Sequence, residues 1–134
     1  MTTAFDHGLQ AINRLIDSCR ESEWGFRTAS QTIANDNLKR LFSIYAQQRG
    51  RFAQELRSFA PYRVMPAAAQ TNVEETVGLL RECLEREQNT LALYRQVHSD
   101  RNLPTKAHFL VSAQLALLER VHSRIEALRP LPVE

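Results

Sequence analysis

The sequence predicts an all-α four-helix bundle, and three observations support that prediction. Glycine and proline are scarce, with four and five residues respectively among 134, as is typical of long uninterrupted helices. Apolar residues recur at alternating spacings of three and four along four separate segments, which is the periodicity of amphipathic helices. A chain of this length builds one domain, so we expect residues 1–134 to form a single bundle around a shared core.

The first two predicted helices span residues 4–33 and 37–59. Between them Asn35, Asp36 and Asn37 interrupt the apolar pattern and offer capping side chains for the second helix. Because the connection is short, the two helices are expected to be antiparallel neighbours. Their apolar stripes are Leu9, Ile12, Ile16, Cys19, Phe26 and Ile33 in the first helix, and Leu38, Leu41, Phe42, Tyr45, Phe52, Leu56 and Phe59 in the second.

The third and fourth predicted helices span residues 72–99 and 104–128. Thr71 and Glu74 form a capping box at the start of the third helix, and Pro104 suits the first position of the fourth. The short turn between these helices again predicts an antiparallel pair. Their apolar stripes are Val73, Val77, Leu80, Leu84, Leu91 and Tyr94 in the third helix, and Ala107, Val111, Leu118, Val121, Ile125 and Leu128 in the fourth.

The link between the two hairpins, residues 60–70, is longer and contains Pro61 and Pro66, which favour extended backbone. At roughly 3.3 Å per residue such a link covers about 36 Å, close to the length of a helix of about 24 residues. It can therefore cross the bundle from end to end. A crossover predicts the ferritin-like arrangement of two antiparallel helical hairpins, and a simple up-down-up-down bundle is the alternative.

Charge and composition exclude several functional classes. Seventeen basic and fifteen acidic residues leave a net charge of +2, which is too small to indicate a nucleic-acid-binding surface. No segment approaches the roughly 18 consecutive apolar residues of a membrane span, and the N-terminal residues carry no secretion signal. Two cysteines do not make a disulfide framework. We therefore expect a cytoplasmic protein with reduced thiols, no nucleic acid partner and no membrane span.

Each predicted helix carries a polar residue within its apolar stripe near mid-length. Two of these residues, Glu23 and Glu87, lie 64 residues apart at equivalent positions of a repeated Cys-x-Glu-x-Glu pattern. The repeat supports two related hairpins. The bundle is therefore expected to have a polar centre, formed by Glu23, Gln48, Arg49, Glu87, Gln114 and His122.

Two buried carboxylates near one another require a cation, a shared proton or strong hydrogen-bond donors. If the partner is a cation, its nature decides the function. In one interpretation the cation is iron, manganese or zinc, because a Glu-x-x-His pair places both ligands on one metal in di-iron bundles. The second helix, however, has no such pair. In the other interpretation, which we favour, the guanidinium of Arg49 bridges both carboxylates and no cofactor is expected. The ligands of the metal alternative would be Glu23, Glu87, Glu119 and His122.

These residues resemble a known bacterial family. The segments that carry the likeness are residues 15–26, 41–56, 82–94 and 114–125. They are similar to the family catalogued as domain of unknown function 2383. The resemblance implies a ferritin-like four-helix bundle with a central polar site at Glu23, Glu87 and His122. It implies no activity, because none is established for that family.

The function expected from the sequence is that of a non-enzymatic binding or interaction protein with a metal-free buried polar core and an unknown partner. A metal-binding oxidase or iron-handling protein is the alternative, and a subunit of a larger helical assembly is the second alternative. Trp24 points away from its apolar stripe, so it either marks an oligomer surface, such as that of a homodimer, or packs against the long link. Cys19 and Cys83 are expected as unlinked core residues.

Overall fold

The computed structural model describes the backbone of residues 4–60 and 76–128 and the side chains of residues 7–60 and 80–128. These residues form α1 (Ala4–Thr32), α2 (Asp36–Leu56), α3 (Thr76–His98) and α4 (Thr105–Ala127), with no strand among them. The all-α prediction is confirmed for this part of the chain. The predicted link over residues 60–70 and the capping box at Thr71 and Glu74 lie, apart from Ala60, outside the described residues.

Local hydrogen bonds explain where the helices begin and end. The Asn35 side-chain oxygen accepts a hydrogen bond from the Leu38 backbone N–H at 3.0 Å and so caps the start of α2. The last predicted residues of α2, Arg57–Phe59, tighten into a 3-10 turn. Pro104 was expected as the first helical residue of α4, but its extended ψ of 149° places it one residue before the helix. The helix ends therefore differ from the predictions by a few residues at most for α1, α2 and α4.

Helix α1 lies against both α2 and α3. Ser18 and Ser22 of α1 meet Thr90 and Glu87 of α3, in reverse order along the two helices. The ring of Phe26 in α1 packs against aromatic rings near the start of α2. Earlier residues of α1 share a core cluster with the last residues of α2. Helix α1 is thus antiparallel to both of its neighbours.

Helix α4 lies against α3 and α2. Its early residue Ser112 meets His98 at the end of α3, and Gln114 meets Tyr94 one turn earlier in α3. Against α2, Gln114 bonds to the backbone oxygen of Phe52, and the last turns of α4 cluster with the first turns of α2. Both contacts are antiparallel, so α1 and α4 run in one direction and α2 and α3 run in the other.

The buried apolar residues form two clusters at opposite ends of the bundle. The first cluster is centred on Leu15, Phe52 and Tyr94, and the second on Phe26 and Phe42. Along α1, α2 and α3 the two clusters are separated by buried polar residues, which are Ser22, Arg49, Glu87 and Thr90. The fold therefore places a polar layer between two apolar halves of the core.

Candidate functional site

An ion pair between Arg49 of α2 and Glu87 of α3 forms the centre of this polar layer. Both side chains are inaccessible to solvent, with 0% and 2% of their surface exposed. The Arg49 Nε–H donates to Glu87 Oε1 at 3.0 Å, and the Nη2 group donates to Glu87 Oε2. The fork of the guanidinium thus meets the fork of the carboxylate, which is the strongest geometry for such a pair. It joins two helices that share no extensive contact with one another.

Neighbouring groups complete the surroundings of the ion pair. The Arg49 Nη1 group donates to the side-chain oxygen of Gln48, and the Ser22 hydroxyl donates to Glu87 Oε1 at 3.3 Å. The Arg49 guanidinium carbon lies 5.6 Å from the ring centres of both Phe26 and Phe52. These two rings belong to different apolar clusters, so the cation is held between the halves of the core by aromatic faces as well as by hydrogen bonds.

The protonation of Glu87 depends on the balance between burial and Arg49. Burial has the largest effect and raises the pKa of Glu87. The charge of Arg49, its hydrogen bond and that of Ser22 oppose this rise, as does the more distant His122. Because Arg49 is the strongest of the opposing groups, it is the residue that keeps a negative charge at Glu87 compatible with the interior.

A second buried hydrogen-bonded chain runs through all four helices beside the ion pair. The Cys19 thiol of α1 lies 3.1 Å from the Tyr94 hydroxyl of α3, which donates to the side-chain oxygen of Gln114 in α4 at 2.6 Å. The Gln114 amide then donates to the Phe52 backbone oxygen at 3.3 Å and to Glu55 of α2 at 3.1 Å. Since the Tyr94 hydroxyl donates its hydrogen bond to Gln114, its oxygen can accept a hydrogen bond from the Cys19 thiol.

Burial makes these groups poor acids and weak nucleophiles. It raises the pKa of Cys19 to about 12 and the pKa of Tyr94 well above its ordinary value. It likewise raises the pKa of Cys83, which belongs to the other apolar cluster. Since the thiolate rather than the thiol is the reactive form, both cysteines are inert at neutral pH. Both are free thiols, and no disulfide joins them.

The position of Glu23 corrects the expectation that Arg49 bridges two carboxylates. Glu23 is 13% exposed, and its oxygens accept from Arg20 at 2.9 Å and from Arg27 at 2.8 Å, both on its own helix. Arg49 makes its ion pair with Glu87 alone among the described residues. Successive helical residues point about 100° apart, and here Ser22 faces α3 whereas Glu23 faces α2. The carboxylate of Glu23 is therefore directed away from Glu87.

The predicted polar core omitted Ser22, which belongs to the polar layer, and Tyr94, whose hydroxyl belongs to the second hydrogen-bonded chain. Ser22 lies three residues after Cys19 and four before Phe26, so the spacing of the apolar stripe already places it on the buried face. Tyr94 was assigned to the apolar stripe of its helix, although its hydroxyl joins Cys19 to Gln114. The signal for both is a hydroxyl on a buried face, because a buried hydroxyl needs a hydrogen-bond partner as an amide or a charged group does.

The four side chains of the metal alternative do not converge. Glu23 and Glu87 are already paired with arginines, and Glu119 is half exposed, with its carboxylate 3.9 Å from Arg95. His122 is half-buried. Over residues 7–60 and 80–128, no group of three or more His, Cys, Asp or Glu side chains is placed to hold a metal ion. The residues present therefore do not fit the iron, manganese or zinc site of that alternative.

Trp24 packs against α3 rather than standing free. The guanidinium carbon of Arg86 lies 4.7 Å from its ring centre, and Arg86 also bonds to Glu82 at 2.6 Å. One turn of α1 thereby gains a stacking contact with one turn of α3. The half-buried ring is thus engaged within the bundle.

The sequence was compared with protein families and with curated proteins. No protein-family model matches the sequence, and no curated protein matches it. Among the helices that the structure describes, none combines the length and the apolar character needed to cross a membrane.

Proposed function

We propose that the chain is a ferritin-like bundle in which an internal ion pair takes the place of a metal centre, and that it acts as a non-enzymatic binding protein. The observation that carries this proposal is the buried fork between Arg49 and Glu87, in which both carboxylate oxygens already accept hydrogen bonds. In di-iron bundles, inward carboxylates at this depth of the core bind the metals. A metal at Glu87 would first have to displace a guanidinium that has no solvent to move into.

The directions of the helices support the ferritin-like arrangement. Helices α2 and α3 run in the same direction, so the end of α2 and the start of α3 lie at opposite ends of the bundle. A connection that runs the length of the bundle joins such helices, as it does in ferritin-like folds. The proposed relationship to the family with domain of unknown function 2383 and the proposed cytoplasmic location belong to this same interpretation.

The pairing of the buried polar groups supports a structural role for the layer. In the two buried networks Arg49, Glu87, Tyr94 and Gln114 all have partners on other helices. Buried polar networks of this kind are best documented as devices that select one helix register over its alternatives. We propose that the layer fixes the alignment of the four helices, so that the outer surface has one shape to present to a partner.

An exposed stripe on α4 favours a second candidate function, that of a subunit in a larger helical assembly. Phe109 and Leu117 are 71% and 38% exposed, and the exposed Ala113 lies between them at spacings of four. Such a stripe is the pattern of a helix that packs against a further helix. Light scattering at several protein concentrations tests this second candidate. An assembly that dissociates when Phe109→Ser and Leu117→Ser are combined would support it.

Metal loading tests the first proposal. Protein purified without chelators would be incubated with Fe²⁺, Mn²⁺ or Zn²⁺, desalted and submitted to elemental analysis. We expect far less than one ion per chain for each metal. Near-stoichiometric metal that is lost in His122→Ala but retained in His108→Ala, a matched control at the other end of α4, would overturn the proposal.

A further inference from the structure

A groove of about 430 Å³ lies between the first half of α2 and the last turns of α4. Two of its apolar residues, Ile44 and Leu128, are 54% and 37% exposed, and they are two of the four exposed large apolar side chains in the described part of the chain. The residues that line the groove are Asn37, Leu38, Arg40, Leu41, Ile44, Arg124 and Leu128.

The charges at the groove have one sign. Arg40 of α2 and Arg124 of α4 are both exposed, and no acidic residue lines the groove within the described part of the chain. Neither arginine forms an ion pair with a described residue, whereas Arg27 and Arg86 pair with carboxylates on their own helices. The groove thus combines an apolar floor with two cations whose hydrogen-bond donors face solvent.

We propose that this groove docks a short amphipathic segment of a partner protein that carries acidic side chains. Apolar side chains of that segment would cover Leu41, Ile44 and Leu128, and a carboxylate would be bound by Arg40 and Arg124. Charge complementarity selects this partner, because a guanidinium recognises a carboxylate through paired hydrogen bonds and a basic segment would be repelled. The geometry is that of helix-in-groove recognition, with one partner face apolar and its border charged.

The inference names a partner class for the proposed binding function and therefore rests on it. The two proposals nevertheless depend on different residues, since the groove is lined by α2 and α4 whereas the ion pair joins α2 to α3. Metal loading can overturn the proposal for the core without affecting the groove. A failure of the groove to bind leaves the core unaffected.

Methyl NMR of the full chain tests the inference with defined probe peptides. Three helical peptides of equal length would be titrated, in which leucine alternates in helical spacing with glutamate, leucine with lysine, or serine with glutamate. We expect only the leucine and glutamate peptide to shift the Ile44 methyl resonance with saturation. Equal shifts from the lysine peptide, or no saturable shift from any peptide, would overturn the proposal.

Charge reversal then locates the interaction. We expect the double variant Arg40→Glu and Arg124→Glu to raise the dissociation constant of the leucine and glutamate peptide by at least about tenfold. Two charge-assisted contacts become repulsive in this variant. The matched control is Arg51→Glu with Arg120→Glu, which makes the same charge change at exposed sites on the same helices outside the groove. Thermal melts of both variants check the fold. Equal weakening in the two pairs would contradict docking in the groove.

Two other occupants would be recognised in the same experiment. Binding of phosphatidylglycerol vesicles at the Ile44 methyl in the absence of peptide binding would assign the groove to a membrane surface. A shift of that methyl with protein concentration alone would assign it to a second copy of the chain. Either result would overturn the proposal of an acidic partner segment.

Discussion

Replacing Arg49 by Met removes the cation of the central ion pair and keeps an apolar side chain in its place. Because Arg49 and Glu87 are 0% and 2% exposed, water cannot solvate the carboxylate that is left behind. Breaking a buried pair by removing one partner costs about 3–5 kcal/mol. The hydrogen bond from Ser22 remains, so we expect a loss near the lower limit, about 3 kcal/mol at pH 7. That loss lowers Tm by on the order of 10 °C for a domain of this size.

The pH dependence of this loss identifies its cause. Burial raises the pKa of Glu87 in the folded protein, and Arg49→Met removes the strongest opposing influence, so the pKa rises further. A carboxyl whose pKa is higher in the folded state stabilises the fold fully below its unfolded pKa, near 4.5. This contribution is lost as the pH rises through the folded pKa. The difference in the free energy of unfolding between the wild type and Arg49→Met should therefore increase from pH 4.5 towards pH 8.

Urea denaturation of four proteins and one control variant across this pH range measures the effect. Besides the wild type and Arg49→Met, the set includes Glu87→Met and the double variant, in which no charge remains buried at the pair. We expect the double variant to lose much less than the sum of the single losses. Arg51→Met, an exposed site on the same helix, should change the free energy of unfolding by less than about 0.5 kcal/mol. A pH-independent deficit, or additive single losses, would refute this account of the core.

Three further comparisons test other parts of the fold. Tyr94→Phe should lower the free energy of unfolding by about 1–3 kcal/mol in chemical denaturation, because Gln114 loses its donor. Tyr45→Phe should change it very little, since the Tyr45 hydroxyl has no partner among the described residues. Equal losses in the two variants would contradict the proposed network. Gly8→Ala should lower Tm because its Cβ would lie 2.9 Å from the Asn102 backbone oxygen. Gly25→Ala, whose nearest contact would be 3.4 Å, should raise the free energy of unfolding by about 0.5 kcal/mol through helix propensity. A lower Tm for Gly25→Ala than for Gly8→Ala would contradict the packing of Gly8 against Asn102. Both cysteines should resist a thiol reagent in the native protein at pH 8 and react with it in denaturant. The reason is that burial raises the pKa of Cys19 to about 12 and also raises the pKa of Cys83. Rapid labelling of the native protein would contradict their burial.

Much of the buried polar core was predictable because helical periodicity reports which face of a helix is buried. Arg49, Glu87 and Gln114 lie in apolar stripes, and all three are fully buried. Periodicity placed Glu23 within the apolar stripe of its helix, but it did not predict which neighbouring helix its side chain faces. A side chain on the buried face can point towards either neighbouring helix, and Glu23 of α1 lies against Gly50 of α2 rather than towards Glu87 of α3. Glu119 was a candidate ligand because it lies three residues before His122, a spacing that does not report burial, and its side chain is half exposed.

The amino-acid sequence by itself determined the four helices, their buried faces and, to within a few residues, the ends of α1, α2 and α4, because these follow from hydrogen bonds and apolar spacing within a few turns of chain. Only the tertiary structure decided which arginine neutralises which carboxylate, and that α2 and α4 leave a groove between Arg40 and Arg124. Those outcomes depend on the register and the rotation of whole helices. A shift of one residue moves a side chain by about 100° around the helix axis, which is enough to exchange one partner for another.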